Sequence, residues 1–179
     1  TRESSQLFAR ALDELEPTPL TTQGTPRAPF SSPDGQWIGF IETIPITLKK
    51  VAITGGPTLR LCQLDGPSRG ATWGDDDSII FATALTATGL QRVSATGGES
   101  TILTTPNRER GESDHLYPHF LPGSQAVLFT ITFTTGGIDA SQVAVLDLRD
   151  VKSPPKILVR GGSQAQYVSS GHLVYTAAG

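Results

Sequence analysis

The sequence contains no methionine, one cysteine, two tryptophans and three histidines among its 179 residues. Because the single thiol, Cys62, has no second thiol to pair with, an intrachain disulfide and a Cys-x-x-Cys metal site are both excluded. We expect Cys62 to be a buried strand residue. Since there is no initiator methionine, we expect Thr1 not to be the natural start and the chain to have been cut from a longer one.

Long apolar runs and a strong charge of one sign are missing as well. No apolar stretch approaches 18 residues, and the first residues lack the basic-then-apolar order of a leader. We therefore expect no membrane span in this segment. The formal net charge is −3 and the lysines and arginines are scattered, so there is no basic field for a phosphate backbone. Nucleic acid is not an expected partner.

Motifs of nucleophilic and metal catalysis are also missing. The sequence has no Gly-x-Ser-x-Gly elbow, no Cys-His phrase and no His-Glu-x-x-His. We therefore predict no catalytic residues, no bound metal and no cofactor.

What the sequence does have is turn-forming residues and an internal repeat. It holds 19 glycines and 13 prolines, together about 18% against a usual figure of roughly 12%. Residues 48–61 return as a similar phrase at 90–103, each with a Thr-Gly-Gly turn, 42 positions apart. A second phrase begins at the aromatic anchors Phe30, Trp73 and Phe120, which are 43 and 47 residues apart. A period in the forties with several short strands per unit is typical of a propeller blade.

Each phrase predicts a hairpin. The anchored phrase forms an inner hairpin around a turn of Pro, Asp, Gly or Ser, and the 14-residue phrase forms an outer one. A fourth, diverged inner hairpin runs from Tyr167 to Tyr175. In the third unit the outer strands are 142–148 and 156–160, because two prolines, Pro154 and Pro155, confine the link between them to a loop or an edge.

The N-terminal residues 7–20 give conflicting indications. Leu7, Phe8, Leu12 and Leu15 have the spacing of an amphipathic helix. The segment nevertheless matches the length and terminal leucines of the two outer phrases. We therefore predict another outer hairpin.

These assignments predict an all-β fold, a β-propeller of four blade-equivalents. An outer half-blade (1–24) precedes three whole blades (25–66, 67–110 and 111–161), and an inner half-blade (162–179) follows them. A blade exposes apolar surface on both faces, so the incomplete ends need partners. Three arrangements remain open: a closed four-bladed ring, an eight-bladed ring of two chains, and an open part of a larger ring. We favour a truncated or self-associating piece, with a homo-oligomer formed through the incomplete terminal blades.

The phrase Phe30-Ser-Ser-Pro-Asp-Gly-Gln-Trp-Ile-Gly-Phe40 resembles the repeats of PD40 proteins, which build TolB-type, WD40-like propellers. The Thr-Gly-Gly turns, residues 69–74 and residues 119–123 are similar to the propellers fused to serine/threonine kinases in certain bacteria. That resemblance implies a sensory or protein-interaction module and favours a periplasmic or extracytoplasmic location. The kinase itself is absent, because the chain has no glycine-rich phosphate loop, no His-Arg-Asp and no Asp-Phe-Gly. The Pro-Asp-Gly turn is also lost from the second, third and fourth units.

Polar clusters supply the candidate binding residues. Asp75, Asp76 and Asp77 occupy an inner turn, where Asp bonds its own backbone, and we interpret them as turn residues rather than metal ligands. The segment 114–119 is the densest polar cluster, but residues four apart on a strand lie about 13 Å apart, too far to share one ion. The ligand-binding candidates are Arg27, Arg69, Asp114, His115 and His119. The candidates for a partner-binding loop are Arg108, Arg110 and Glu112.

The clear repeats without a catalytic set predict a non-catalytic propeller module that binds a protein or a small-molecule ligand, as part of a larger bacterial protein. An alternative is the gating propeller of a prolyl-oligopeptidase-like hydrolase whose catalytic domain lies outside this sequence. A weaker alternative is a metal binder or lyase-type propeller that uses the region from His115 to His119.

Overall fold

A computed structural model describes residues 4–178, which form five antiparallel sheets: three of four strands and two of two strands. Residues 1–3 and 179, the outer ends of the predicted half-blades, lie outside the described residues. In chain order the strands are β1 (Phe8–Ala9), β2 (Thr18–Pro19), β3 (Pro26–Ser31), β4 (Trp37–Thr43), β5 (Ile46–Ala52), β6 (Leu59–Gln63), β7 (Ser68–Trp73), β8 (Ser78–Thr83), β9 (Gln91–Ser94), β10 (Thr101–Ile102), β11 (Glu112–Phe120), β12 (Ala126–Phe133), β13 (Gln142–Asp147), β14 (Lys156–Arg160), β15 (Gly162–Val168) and β16 (His172–Ala177). A 3-10 helix, Arg108–Arg110, precedes β11, and a short helix, α1 (Gly137–Ala140), precedes β13.

Each four-stranded sheet is a meander in which neighbouring strands follow one another in sequence. We call β3–β6 blade 1, β7–β10 blade 2 and β11–β14 blade 3, with β1–β2 and β15–β16 as the N- and C-terminal half-blades. The innermost strands β3, β7, β11 and β15 pack side by side in that order. The sheets therefore stand like the blades of a propeller, and the predicted β-propeller fold is confirmed.

The 14-residue phrase forms a hairpin because of its pair of glycines. Gly55 and Gly56 have φ of +83° and +118°, and Gly97 and Gly98 have +91° and +131°. These left-handed conformations are strained for residues with a Cβ, so the Gly-Gly turn is the local reason that both phrases form hairpins.

The core consists of layers between adjacent blades. On β8, Ile79 packs into the layer shared with blade 1, while its neighbour Ile80 packs into the layer shared with blade 3. Successive strand residues face opposite sides of a sheet, so one blade supplies both layers. Both side chains are fully buried, and burying each contributes about 1.5–3 kcal/mol. Cys62 is a buried strand residue, as expected, and burial raises its pKa to about 11.

The N-terminal segment is a hairpin, as predicted, and not a helix. Phe8 pairs with Pro19, and the Leu20 N–H donates to the Leu7 carbonyl oxygen at 2.8 Å. Leu12 and Leu15, which a helix would place on its apolar face, are 98% and 88% exposed. The prolines near the end of the segment favour the strand because they disrupt a helix interior.

The two half-blades form separate sheets within residues 4–178. Leu20 packs against Phe40 and Val51 of blade 1, whereas Ala165 packs against Leu128 and Val143 of blade 3. A composite blade that closes four blades within one chain is therefore not the observed arrangement. In these sheets β1 and β16 each keep one unpaired edge.

The first aromatic anchor proves to be one position out of phase. Trp73 lies three residues after Gly70, and Phe120 lies three residues after Tyr117; both Gly70 and Tyr117 have positive φ. Phe30, however, lies only two residues after Ala28, the positive-φ residue of its strand. The structural equivalent of Trp73 in blade 1 is thus Ser31, and the first two blades are offset by 42 residues, the spacing of the 14-residue phrase. Phe30 instead covers Gly39, where a Cβ would overlap its ring.

Candidate functional site

All four innermost strands carry a bulge at the same position. The residues are Ala28, Gly70, Tyr117 and Gln164, with φ of +50°, +109°, +55° and +54°. At each of them the pairing with the next strand shifts register. Three of the four are not glycine, so each costs about 1–2 kcal/mol of backbone strain. Bulges re-aim side chains and are frequent beside active sites.

Two pockets lie along these strands, on a surface that we call the channel face. One of about 550 Å³ is lined by residues that include Phe30, Asp75, His119 and Tyr167. The other, of about 190 Å³, lies directly at the bulges and is lined by residues that include Tyr117, His119 and Gln164. The channel face thus offers aromatic and amide groups, with His119 shared by both pockets.

His119 is half-buried on β11. Burial lowers the pKa of its imidazole, and a hydrogen bond to the Tyr167 backbone partly offsets that effect. The side chain is therefore neutral near pH 7, and it spans from blade 3 to the C-terminal half-blade. A neutral imidazole in a pocket serves as a hydrogen-bonding group for a ligand.

The five predicted ligand-binding residues do not form one site. Arg27 donates to the Ser5 Oγ at 2.7 Å and to the Pro26 carbonyl oxygen at 3.0 Å, so it fastens the N-terminal segment. Asp114 is buried, which raises its pKa, while the His115 N–H and the charges of Arg108 and Arg69 oppose that rise. Arg69 and Asp114 are therefore electrostatic neighbours.

His115 faces the layer between blades 2 and 3, away from the small pocket at His119. Its Nδ1 lies 2.8 Å from Thr104 Oγ1, and its Nε2 lies 3.0 Å from Glu112 Oε2. Because the Glu112 carboxylate accepts, Nε2–H donates to it, and in the neutral ring Nδ1 accepts from the Thr104 hydroxyl. The Thr104 oxygen in turn accepts from the Leu90 N–H at 2.9 Å. Burial lowers the pKa of His115, and Glu112 partly offsets this.

This hydroxyl–imidazole–carboxylate set contains the same three kinds of group as a hydrolytic triad. The Thr104 hydroxyl is occupied by Leu90, and a Cβ on Gly89 would overlap it. All three side chains also line the pocket between blades 2 and 3. The network ties the end of blade 2 to the first strand of blade 3.

In the predicted partner-binding loop, Arg108 and Glu112 are held by hydrogen bonds within the protein, whereas the Arg110 side chain is exposed. Arg108 donates through Nη1 to the carbonyl oxygens of Glu112 and Ser113, at 3.0 and 2.8 Å, and through Nη2 to that of Thr86. Glu112 accepts from His115 and also from the Asn107 N–H at 2.6 Å. Arg110 makes no ion pair with a carboxylate in residues 4–178.

Arg110 lines the pocket that lies between blades 2 and 3, which we call the interblade pocket. Its volume is about 540 Å³, within the usual range of ligand sites. Lys152 and Arg160 line it as well, and neither was among the predicted binding residues. Nothing in their local sequence indicates a site, because the fold brings them to Arg110 from 42 and 50 positions away.

The aspartate run behaves as turn residues. Asp76 Oδ1 accepts from the Ser78 N–H at 3.2 Å and from the Ser78 hydroxyl at 2.7 Å, and Asp77 has φ of +56°. Asp75 instead receives the Ser124 hydroxyl of blade 3 at 3.3 Å. Among the described residues no group of three or more His, Cys, Asp or Glu side chains is placed to hold a metal ion.

A cation lies between the two tryptophans at the interface of blades 1 and 2. Lys50 Nζ is 4.4 Å from the ring centre of Trp37 and 5.8 Å from that of Trp73. Such contacts contribute about 0.5–1 kcal/mol where they are exposed. The Trp73 Nε1–H has no hydrogen-bond partner in the described part of the chain. The neighbouring pocket, of about 530 Å³, is otherwise acidic, since Asp34, Asp75 and Asp77 also line it.

None of the helices in the described residues is long and apolar enough to cross a membrane. No family model matches the sequence, and a search of curated proteins gives no significant match.

Solved structures do resemble the chain. A TolB from Agrobacterium tumefaciens matches with a TM-score of 0.66 at 18% identity, over 90% of this chain and 62% of that protein. An oligogalacturonate lyase in complex with manganese gives 0.74 at 13% identity, over 97% and 54%. A prolyl endopeptidase gives 0.64 at 12% identity, over 93% and 27%. The chain thus has the fold of TolB-type and related β-propellers and spans less than two thirds of each.

Proposed function

We propose that this chain is a non-catalytic β-propeller module that binds a protein or a small ligand through its channel face. The observation that carries the proposal is the bulge repeated in all four innermost strands. Strain maintained at one position in Ala28, Tyr117 and Gln164 is expected where a surface must present particular groups. The resemblance to kinase-fused propellers extends the proposal to a sensory part of a larger bacterial protein, outside the cytoplasm.

The polar groups of the described residues support a role in binding rather than in catalysis. The Thr104 hydroxyl accepts from the Leu90 N–H, and both ring nitrogens of His115 have hydrogen-bond partners. His119 has no carboxylate partner among the described residues, and burial keeps it neutral. A group of this kind can orient a ligand without transferring a proton.

The likeness to a prolyl endopeptidase favours a second candidate, the gating propeller of a hydrolase. Reading the gene on both sides of residues 1–179 separates the two. A kinase before Thr1 supports the sensor, and an α/β-hydrolase with Gly-x-Ser-x-Gly after Gly179 supports the gate.

The lyase that matches in complex with manganese is the reason to test a third candidate, a metal-binding propeller. His115 and His119 lie in different environments, so two separate sites would be needed. Elemental analysis without bound metal, and a melting temperature unchanged by calcium or manganese, would remove this candidate.

Binding through the channel face is tested by a ligand-observed NMR screen of a chemically diverse fragment set. The full chain is compared with His119→Ala, and with His172→Ala as the matched control because His172 is exposed. We expect fragments that bind the full chain and the control but not the His119→Ala protein. A screen without hits at micromolar concentrations, or one in which no hit depends on His119, contradicts the proposal.

A further inference from the structure

The interblade pocket has an apolar wall and a basic rim. Its apolar wall includes the half-buried Phe133 and Ile157, which pack on the buried Ile131 and Leu146 of blade 3. Its rim carries three exposed cationic side chains, Arg110, Lys152 and Arg160. The site therefore offers apolar contact and positive charge to the same occupant.

The three rim cations are not neutralised by the protein. None of them lies within ion-pair distance of a carboxylate in residues 4–178. Glu112 is the one carboxylate among the lining residues, and its Oε2 already accepts from His115 and from the Asn107 N–H. Three cations against one occupied carboxylate leave the pocket with a formal charge of about +2.

That charge is a local property of this pocket. The whole chain has a net charge of −3. The pocket between blades 1 and 2 has the opposite balance, with Asp34, Asp75 and Asp77 against Lys50. A basic rim is therefore not a general feature of the grooves between these blades.

We propose that the interblade pocket binds a small organic anion, with a carboxylate or phosphate group held by Arg110, Lys152 and Arg160 and an apolar body packed on blade 3. Guanidinium groups form paired hydrogen bonds with both kinds of anion, which is why two arginines suit either. A volume of about 540 Å³ accommodates a bicyclic aromatic body. This site uses none of the channel-face residues, so its test is independent of the function proposed above.

The test is calorimetric titration of the full chain with 2-naphthylacetate, with 2-naphthyl phosphate and with the neutral 2-naphthylacetamide. We expect at least one anion to bind about tenfold or more tightly than the amide, because hydrogen bonds to a charged group are stronger than those to a neutral one. Preference for the acid or for the phosphate identifies the anionic group. Equal binding of the amide, or no binding of either anion, overturns the proposal.

Variants locate the site. Arg160→Gln and Arg110→Gln should each weaken binding of the anion about tenfold. Lys156→Gln removes the same charge from the same strand, but Lys156 does not line the pocket, so its affinity should stay unchanged. All three positions are exposed, which preserves the fold. Unchanged affinity in both arginine variants, or an equal loss in Lys156→Gln, overturns the assignment.

Discussion

Single residues with similar sequence context have different roles in this fold. His115 and His119 lie four positions apart on β11, yet His115 joins blades 2 and 3, whereas His119 faces the channel pockets. Likewise Arg108 is fixed by three carbonyl oxygens while Arg110 lines the interblade pocket. Partners from distant strands therefore decide what each side chain does.

The His115 network predicts a large effect on stability. His115→Ala should lower the free energy of unfolding by about 2–4 kcal/mol, because it opens a cavity beside Phe129 and removes one of the two donors to Glu112 Oε2. Urea denaturation measures this change. The control His172→Ala should stay within about 0.5 kcal/mol, since that side chain is exposed. Equal stabilities of the two variants would contradict the structural role of His115.

Stability should also fall on acidification. Burial lowers the pKa of His115 and His119, so the unfolded chain binds protons that the folded chain does not. The stability associated with these two neutral imidazoles is fully present above the unfolded imidazole pKa of about 6.5. It is lost as the pH falls through their lowered pKa values in the folded chain. Asp114 acts in the opposite direction because its pKa is raised. Its contribution to stability is present below the usual carboxyl pKa of about 3.9 and is lost as the pH rises above that value.

The measurement for this pH effect is the free energy of unfolding at several pH values from about 7.5 downward. His119→Gln should flatten the dependence because it removes one of the two shifted groups. His172→Gln should leave it unchanged. A dependence that is identical in the wild type and in His119→Gln would show that His119 does not contribute.

At the scale of elements, the innermost strands share a bulge that their sequences do not reveal. Four different residue types, Ala28, Gly70, Tyr117 and Gln164, all have positive φ at this position. Contact between neighbouring strands maintains it, as where a Cβ on Gly70 would approach the Tyr117 Cα to 3.1 Å. The bulges of blades 2 and 3 are therefore packed against one another.

Gly70→Ala tests that packing. We expect a loss of about 1–3 kcal/mol in the free energy of unfolding, from a φ of +109° combined with contacts at Tyr117 and Pro118. Gly35→Ala is the matched control, because Gly35 also has positive φ, +69°, but no atom lies within 4 Å of its Cβ position. Gly35→Ala should lower the free energy of unfolding by about 1 kcal/mol, because it adds backbone strain without a steric contact. If thermal denaturation showed equal losses of stability for the two variants, the contacts of position 70 with Tyr117 and Pro118 would not contribute.

The repeats made the hairpins predictable, whereas the sites depend on packing. Thr-Gly-Gly turns and anchors 43 and 47 residues apart indicated strands and blades. The aromatic spacing aligned Phe30 with Trp73, one position away from the true equivalent, Ser31. The sequence does not show that the Phe30 ring covers Gly39 instead. The interblade pocket was not predictable, since Arg110 and Arg160 line one pocket only once the four strands of blade 3 have paired.

At the scale of the whole molecule, stability is distributed over four layers, each between neighbouring units. The outermost units have a partner on one side only. On β16, Val174 and Tyr175 are 58% and 44% exposed, and on β1 Phe8 is 55% exposed. Exposed apolar strand edges favour pairing with another chain.

We therefore expect the chain to self-associate through its half-blades, with β16 of one copy beside β1 of another. Size-exclusion chromatography with light scattering should give a mass above that of one chain at high concentration. Val174→Lys should shift the population toward the monomer, because a charged edge opposes pairing. Leu12→Lys, at a residue that is 98% exposed outside the strands, should have no effect. A strictly monomeric wild-type chain would contradict this expectation.

The position of Lys50 between Trp37 and Trp73 has a spectroscopic consequence. These are the two tryptophans of the chain, and both lie where blades 1 and 2 meet. Intrinsic fluorescence therefore reports the separation of that single interface, whereas far-ultraviolet circular dichroism reports all the sheets together. Coincidence of the two unfolding curves would measure how concertedly the remaining blades come apart.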